Sequence, residues 1–500
     1  MVLPSAGALI RQSGKQAEIR LPDQPGKIRV FAYAWDGRGS AATVNLPILV
    51  RERSRVDYPK PEKPAEVSKF GSRIQHTMGL LATSTPEHRN RVRIIFNGQS
   101  ITKQGWWRQV ADFLRDHFPH ADLEIENLAI GGYSSQYLVR TLPHDVYPFY
   151  PDLVVFHVYG PEKEHEEIIA GIRRHTTAEI AIQTDHPVWV EEREAAADEE
   201  QSRRRRNLER RSGEFLPKIA DRYDCELIDI HRPWQQYLKD RGLRARDLLR
   251  DAVHLNDHGN FLMAELLKPY LRHDPSFRED DRQGLVRTYD VGGDLEWEDG
   301  RLILEFDGNR VDALAASGAP GAKARILIDG KPPSEFPELY VHTRPTEAWG
   351  ADWTSINRVS WRTPLLVDEW RLRITEVSED ASFFRFELQG SKTGPDGSGT
   401  SGERFVSNSG RVVIEPEDWA LQRAYNLSKR SMPPNFAVSW QVIPQFVDVY
   451  EAPRIEDPAR EYSTILAQGL SNAKHRLELI ALTPTAPAIG RIRVFRPPLR

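Results

Sequence analysis

Ser100 closes the stretch Arg91-Val92-Arg93-Ile94-Ile95-Phe96-Asn97-Gly98-Gln99-Ser100, an apolar, β-branched run that stops at Gly-x-Ser. A serine hydroxyl attacks a carbonyl only when a base takes its proton. A matching base stands far downstream in Asp251-Ala252-Val253-His254. An acid three residues before a histidine can set its carboxylate on one ring nitrogen and leave the other for the serine. The chemistry of such a set is acyl transfer. Ser100 would attack, His254 would carry the proton, and Asp251 would orient and stabilise the imidazolium.

These residues need elements to hold them. After Ser100, Trp106-Trp107-Arg108-Gln109-Val110-Ala111-Asp112-Phe113-Leu114 has apolar residues at helical spacing, so the region reads as strand, glycine turn, helix. A strand ending there leaves its hydroxyl at the carboxyl edge of an open α/β sheet, where such folds bind ligands. Strand patterns at 93–96, 123–128, 153–158, 179–183 and 226–230 alternate with helical ones such as 162–174. This alternation predicts a parallel sheet covered by helices on both faces. Asp251 and His254 stand just before its final helix.

Other polar residues have plainer readings. His157 lies inside an apolar strand and reads as a hydrogen-bonded core residue. Asp185 and His186 follow a strand, where substrate contact and structural support are both open. Asp229-Ile230-His231 reads as a structural strand-end pair. No ligand spacing links His157, Asp185, His186 and His231, so neither a metal nor another cofactor is expected. Trp106 and Trp107 read as helix core, with a sugar-platform role left open by their nearness to Ser100.

Taken together, these blocks resemble the SGNH (GDSL-type) serine hydrolases over about 91–271. The resemblance implies a three-layer, flavodoxin-like α/β fold. Its first block is similar to Gly98-Gln99-Ser100, with Ser100 as nucleophile and its amide as one oxyanion donor. Its second resembles Asn127-Leu128-Ala129-Ile130-Gly131-Gly132, which makes the Gly132 N–H the second donor. Its fourth matches Asp251 and His254. The third block departs: the family carries Gly-x-Asn-Asp, whereas this chain has Tyr159-Gly160-Pro161-Glu162, with Glu162 at the asparagine position. A carboxylate repels a developing oxyanion, and one lost donor costs about a hundred- to a thousand-fold in rate. Tyr159, His157 and His186 are the candidate replacement donors, and Tyr159, Glu162, Asp185 and His186 the candidate substrate contacts.

The expected organisation is multidomain, with the α/β hydrolase domain at 91–275 flanked by all-β regions. Residues 1–51 read as immunoglobulin- or fibronectin-like strands, fewer than the roughly seven of a full sandwich. Either the module is truncated or its strands pack on a later β domain. Pro59, Pro61 and Pro64 mark 52–90 as a linker with room for one short helix. Residues 276–500 read as a carbohydrate-binding-like β-sandwich of jelly-roll type, with a flexible glycine- and serine-rich loop at 391–402. The charged stretch 191–211 reads as a solvated helix rather than a nucleic-acid patch.

Composition narrows the partners. The 68 basic residues nearly balance the 72 acidic ones, so no global field recommends nucleic acid or an anionic membrane. A single cysteine, Cys225, excludes an intrachain disulfide. No run reaches the roughly 18 to 20 apolar residues of a membrane span. The first residues lack the basic start and apolar core of a signal peptide, although the resemblance favours an exported enzyme. The function expected is hydrolysis of ester groups, foremost O-acetyl, on a polysaccharide or oligosaccharide. This choice follows the resemblance, since Gln99 and the adjoining β region are similar to carbohydrate acetylesterases. The alternatives are a catalytically weakened scaffold that binds carbohydrate, and an esterase for small acyl or lipid esters.

Overall fold

The computed structural model describes residues 2–4, 8–13, 16–20, 26–35, 41–50, 57–64, 67–188, 199–276, 285–350 and 353–500. It divides into two compact units, Met1–Pro59 and Lys60–Arg500. In the first, Gly26–Trp35 lies between Val2–Pro4 and Ala41–Val50, antiparallel to both, while Ala8–Ser13 pairs with Gln16–Arg20. Ile28 and Val30 are buried and Arg29 is exposed, the alternation of a strand with one covered face.

The second unit is built on a five-stranded parallel sheet. Its strands are β1 (Arg91–Gly98), β2 (Asp122–Asn127), β3 (Leu153–His157), β4 (Glu179–Gln183) and β5 (Glu226–Ile228). Their spatial order is β5-β4-β3-β1-β2, the flavodoxin-like order. Every residue of β3 and β4 is buried, as expected of strands covered on both faces. Alternate residues therefore feed opposite layers. Ile94, Phe96, Leu153 and Val155 join α1 (Gln75–Ala82), α2 (Trp106–His117) and α4 (Asp257–Leu267) in one apolar cluster. Ile95, Val154 and Phe156 meet Ile168, Ile169 and Ile172 of α3 (Glu162–His175) in another.

The linker expected at 52–90 ends earlier than its composition suggests. Ile74, Met78 and Leu81 are buried in the α/β core. The Glu226 carboxylate accepts the Gly71 and Arg73 amides at 2.9 and 3.0 Å, and Glu179 accepts those of His76 and Thr77 at 3.1 and 2.9 Å. Two glutamates beginning neighbouring strands thus hold the turn leading into α1 (Glu226) and satisfy orphan amides of its first turn (Glu179).

Beyond the α/β layer, where the sequence suggests one sandwich, the described residues form two larger antiparallel sheets with separate apolar clusters, and Phe405–Val406 pairs with Val413–Ile414. The six-stranded sheet runs Val286–Asp290, Ile489–Phe495, Arg301–Ala315, Ser463–Ala481, Lys323–Ile328, Val449–Glu451 across its width. Between its last two strands in space, the chain builds the five-stranded sheet Tyr340–His342, Ala437–Pro444, Glu369–Val377, Phe384–Gly390, Gly394–Thr400. Trp370, Leu372, Phe384 and Phe386 of this inserted sheet share one cluster with Ile130, Tyr133 and Leu142 of the α/β layer. The insertion is packed onto the α/β layer.

One further sequence expectation is corrected here. The stretch 391–402 is not a flexible loop: Gly394–Thr400 pairs with Phe384–Gly390. A Cβ on Gly399 would lie 2.8 Å from the Phe405 ring and 2.9 Å from that of Phe386, so the glycine makes room for aromatics. The charged stretch 191–211 is helical over Glu199–Arg210, with 191–198 outside the described residues. Its described side chains are exposed or half-buried, as in a solvated helix, and the chain then passes into a π-turn, Arg211–Phe215, where Arg211 is buried. Among the described residues, no helix is long and apolar enough to cross a membrane.

Candidate active site

Gly98 ends β1 with φ +153°, and a Cβ there would lie 1.9 Å from the His157 carbonyl oxygen. Only glycine lets β1 and β3 pass so closely before the chain turns. The turn places Ser100 at the carboxyl edge of the sheet, at the mouth of a cavity of about 520 Å³. Gln104, Gly131, Arg250, Asn256 and Asp257 also line it. The helix that follows is anchored by Trp106, which is fully buried and donates its indole N–H to the Ile101 carbonyl at 2.7 Å. Trp106 is therefore core and offers no platform to a sugar.

The structure brings the three sequence-predicted residues together. Ser100 Oγ lies 2.8 Å from His254 Nε2. His254 Nδ1 lies 2.9 and 3.1 Å from the two oxygens of Asp251. The same carboxylate accepts the backbone amides of Val253 and His254 at 3.0 and 2.8 Å. Burial pushes the Asp251 carboxyl up, but these amides and the imidazole outweigh it and hold it at about 2. With Asp251 ionised, the imidazole donates through Nδ1 and accepts through Nε2, the tautomer that can take a serine proton.

The loop carrying His254 is tied down on several sides. Gln104, four residues after the serine, donates to the Leu255 carbonyl at 3.2 Å and accepts its amide at 3.1 Å. One side chain thereby fixes the spacing between the Ser100 turn and the His254 loop. Asn256 caps α4 by accepting the Gly259 amide at 3.0 Å. From below, His186 Nε2 donates to the Val253 carbonyl at 2.8 Å.

His186 and Asp185 are fully buried, so neither meets a substrate, contrary to one reading of their strand-end position. Asp185 sits 3.0 Å from His157 Nε2 and 3.1 Å from Arg211 Nε. Its burial pushes the carboxyl up, but Arg211 and His157 prevail and keep it below the usual carboxylate range. Burial lowers His186 to about 4, so it is neutral. The His231 ring bonds to the Asp185 carbonyl at 2.8 Å, a structural role. These groups form a polar floor under the site. Among the described residues, no cluster of three or more His, Cys, Asp or Glu side chains is arranged to hold a metal ion.

The second loop of the site begins at Asn127, whose side chain donates to the Thr102 carbonyl at 2.8 Å and accepts the Ala129 amide at 3.0 Å. It links the Ser100 turn to the Gly131-Gly132 loop. Gly132 has φ +75°, and a Cβ there would lie 2.9 Å from the Trp353 ring. At the third block, Glu162 opens α3 and its carboxylate pairs with Arg210. Tyr159 is half-buried and meets the His157 ring edge-on at 5.0 Å. Gln104, Arg211, Trp353 and Arg423 were missed by sequence reasoning. No periodicity or motif marks them, and Trp353 and Arg423 arrive from the distant inserted region.

No protein-family model matches the chain, and no curated protein does. Solved structures similar to it include an acetyl xylan esterase, AlAXEase, at 23% identity and TM-score 0.30, covering 35% of this chain and 98% of that one. A two-domain esterase, CEX, active on acetylated mannans is similar at 13% identity and TM-score 0.32, covering 86% and 96%. A GDSL-like lipase from Parabacteroides merdae is similar at 16% identity and TM-score 0.32, covering 37% and 98%.

Proposed function

We propose that the chain is a serine esterase of the SGNH type that removes acyl groups, foremost O-acetyl, from a polysaccharide or oligosaccharide. The observation that carries the reading is the continuous relay from Asp251 through His254 to Ser100 Oγ, with every link between 2.8 and 3.1 Å. In this mechanism Ser100 Oγ bonds to the ester carbonyl carbon as its proton passes to His254 Nε2. The carbonyl electron pair moves onto oxygen, and the Ser100 and Gly132 amides hold the oxyanion. Collapse breaks the bond to the sugar oxygen, which leaves with the proton from His254. Water then gives a proton to His254, attacks the acyl-enzyme, and releases the carboxylic acid as Ser100 recovers its proton.

The polar cavity beside Ser100 supports a hydrophilic acyl-bearing substrate over a lipid, and the described residues place no apolar lid there. The proposal includes export, which the resemblance to exported carbohydrate esterases favours. The test is release of 4-nitrophenol from its acetate, and of acetate from acetylated xylan or pectin, by wild type and Ser100→Ala. Activity that survives Ser100→Ala overturns the mechanism. No hydrolysis of any ester, with glycan binding retained, favours the weakened carbohydrate-binding scaffold, which the absent third-block asparagine supports.

A further inference from the structure

The inserted β region does more than pack against the hydrolase layer: it reaches the loop that carries Gly132. The Trp353 indole N–H donates to the Gly131 carbonyl, and the Arg423 guanidinium donates to the Gly132 carbonyl. Trp353 is buried, and its ring meets that of Tyr133 edge-on at 5.3 Å. The Arg423 guanidinium lies 4.0 Å from the centre of the Tyr137 ring and 5.0 Å from that of Trp353. Tyr133 in turn donates its hydroxyl to Asn357 Oδ1 at 2.5 Å. Three side chains of the insertion thus hold three consecutive residues of one short loop, Gly131 to Tyr133, and Arg423 also covers Tyr137.

The choice of Gly131 as the acceptor matters. Its carbonyl and the Gly132 N–H belong to the same peptide group, which is planar and trans, so the two bonds point in opposite directions. Fixing the oxygen fixes the direction of the N–H. A hydrogen bond to the carbonyl also polarises the amide and makes its N–H a stronger donor. A free Gly-Gly pair would lose these advantages, because two glycines in sequence have more accessible backbone states than any other pair. A preorganised donor costs no reorganisation when the oxyanion forms.

We propose that Trp353 and Arg423 are positioning residues for the oxyanion hole, and that the inserted β region is therefore part of the catalytic unit. The proposal rests on the esterase reading, with the Gly132 N–H as an oxyanion donor. It differs from a purely structural role in what it moves. Packing alone would affect stability or substrate binding, whereas an aimed N–H acts on the charged transition state and so on kcat.

The experiment uses the full chain with Trp353→Phe, which keeps an aromatic ring but removes the indole N–H, and with Arg423→Gln. Kinetics on 4-nitrophenyl acetate are read beside the inhibition constant of an alkyl boronic acid, whose tetrahedral adduct with the serine carries the oxyanion's charge. Trp353→Phe is expected to lower kcat about tenfold or more with KM little changed, and to raise the boronate constant in parallel, less than the loss of a whole donor. Arg423→Gln is expected to act in the same sense and more weakly, and it serves if Trp353→Phe does not fold. Folded variants with wild-type kcat and boronate affinity, in an enzyme that needs Ser100, overturn the proposal and leave the esterase reading standing. A loss confined to KM overturns it as well. A wild type inactive on every ester, or active without Ser100, overturns the esterase reading and the proposal with it.

Discussion

Trp353 and Gly131 lie 222 positions apart in the chain, yet the indole N–H of the first is bonded to the carbonyl of the second. The contact joins an inserted antiparallel sheet to the loop facing the Ser100 cavity. The Gly131-Gly132 loop at one edge of the parallel sheet is therefore held by residues outside the α/β layer. Arg140 with Asp418 and Arg344 with Asp145 add two ion pairs across the same junction. Asp145 is buried in its pair, so removing Arg344 alone would strand a carboxylate there.

Asp251→Asn is expected to lower kcat about a thousand- to ten-thousand-fold, because an amide on His254 Nδ1 favours the tautomer that cannot accept the serine proton. The fold should persist, since the Asp251 side chain is half exposed. Steady-state kinetics with a circular-dichroism control check this. A loss below tenfold would show that the carboxylate does not orient the ring.

Gln104→Ala removes both hydrogen bonds to Leu255 and leaves a backbone amide and carbonyl without those partners. A cost of about 1–3 kcal/mol in stability follows. A drop in kcat should accompany it as the His254 loop drifts from Ser100. Urea unfolding and kinetics on the same variant separate the two effects; unchanged kcat would mean that the loop is held adequately by its other contacts.

Gly98→Ala should be severely destabilising. Its Cβ would meet the His157 carbonyl oxygen at 1.9 Å, a backbone atom that cannot swing away. The left-handed backbone adds about 1–2 kcal/mol before the clash is counted. The expected result is insoluble protein, or folded protein with a displaced Ser100 and no activity. A soluble variant of normal activity would contradict the close approach of β1 to β3 at Gly98.

Acid should weaken the fold before it protonates the site's carboxylate. An unfolded imidazole takes up a proton near pH 6.5, whereas burial keeps His186 neutral down to about 4 and His342 down to about 3. Between those values the unfolded chain binds more protons, so stability rises with pH and falls on acidification. His186 alone corresponds to about 3 kcal/mol lost between pH 6.5 and 4. Asp251 acts lower: its stabilisation is complete above the unfolded value near 4 and is lost only as pH falls through about 2. Urea midpoints measured from pH 7.5 to 4.5 should therefore fall steadily, and a flat profile would contradict the buried neutral histidines.

Much of the α/β layer was legible because its signals are local. The inner strands β1, β3 and β4 show in the sequence as short apolar runs, since a strand buried on both faces needs apolar residues at nearly every position, whereas the edge strand β2 shows only the alternation Leu123, Ile125. Gly98-Gln99-Ser100 and Asp251-Ala252-Val253-His254 were legible for a similar reason: a glycine turn and an i,i+3 carboxylate–imidazole pair are defined within a few residues. Composition misled where glycine serves packing. Gly399 reads as flexibility, and only the Phe386 and Phe405 rings beside it show why a side chain is excluded.

By itself, then, the sequence determined which residues could form a nucleophile, a base and an orienting acid, and the sheet that would carry the first of them. Tertiary structure decided how they meet and what holds them. The 2.8 Å approach of Ser100 to His254, the Gln104 clamp and the burial of Asp185 depend on chain segments that converge only when the layers pack. So does the grip of Trp353 and Arg423 on the Gly131-Gly132 loop. The physical reason is range: periodicity and turn chemistry are written between neighbours, whereas a hydrogen bond between residues hundreds apart leaves no pattern in either segment.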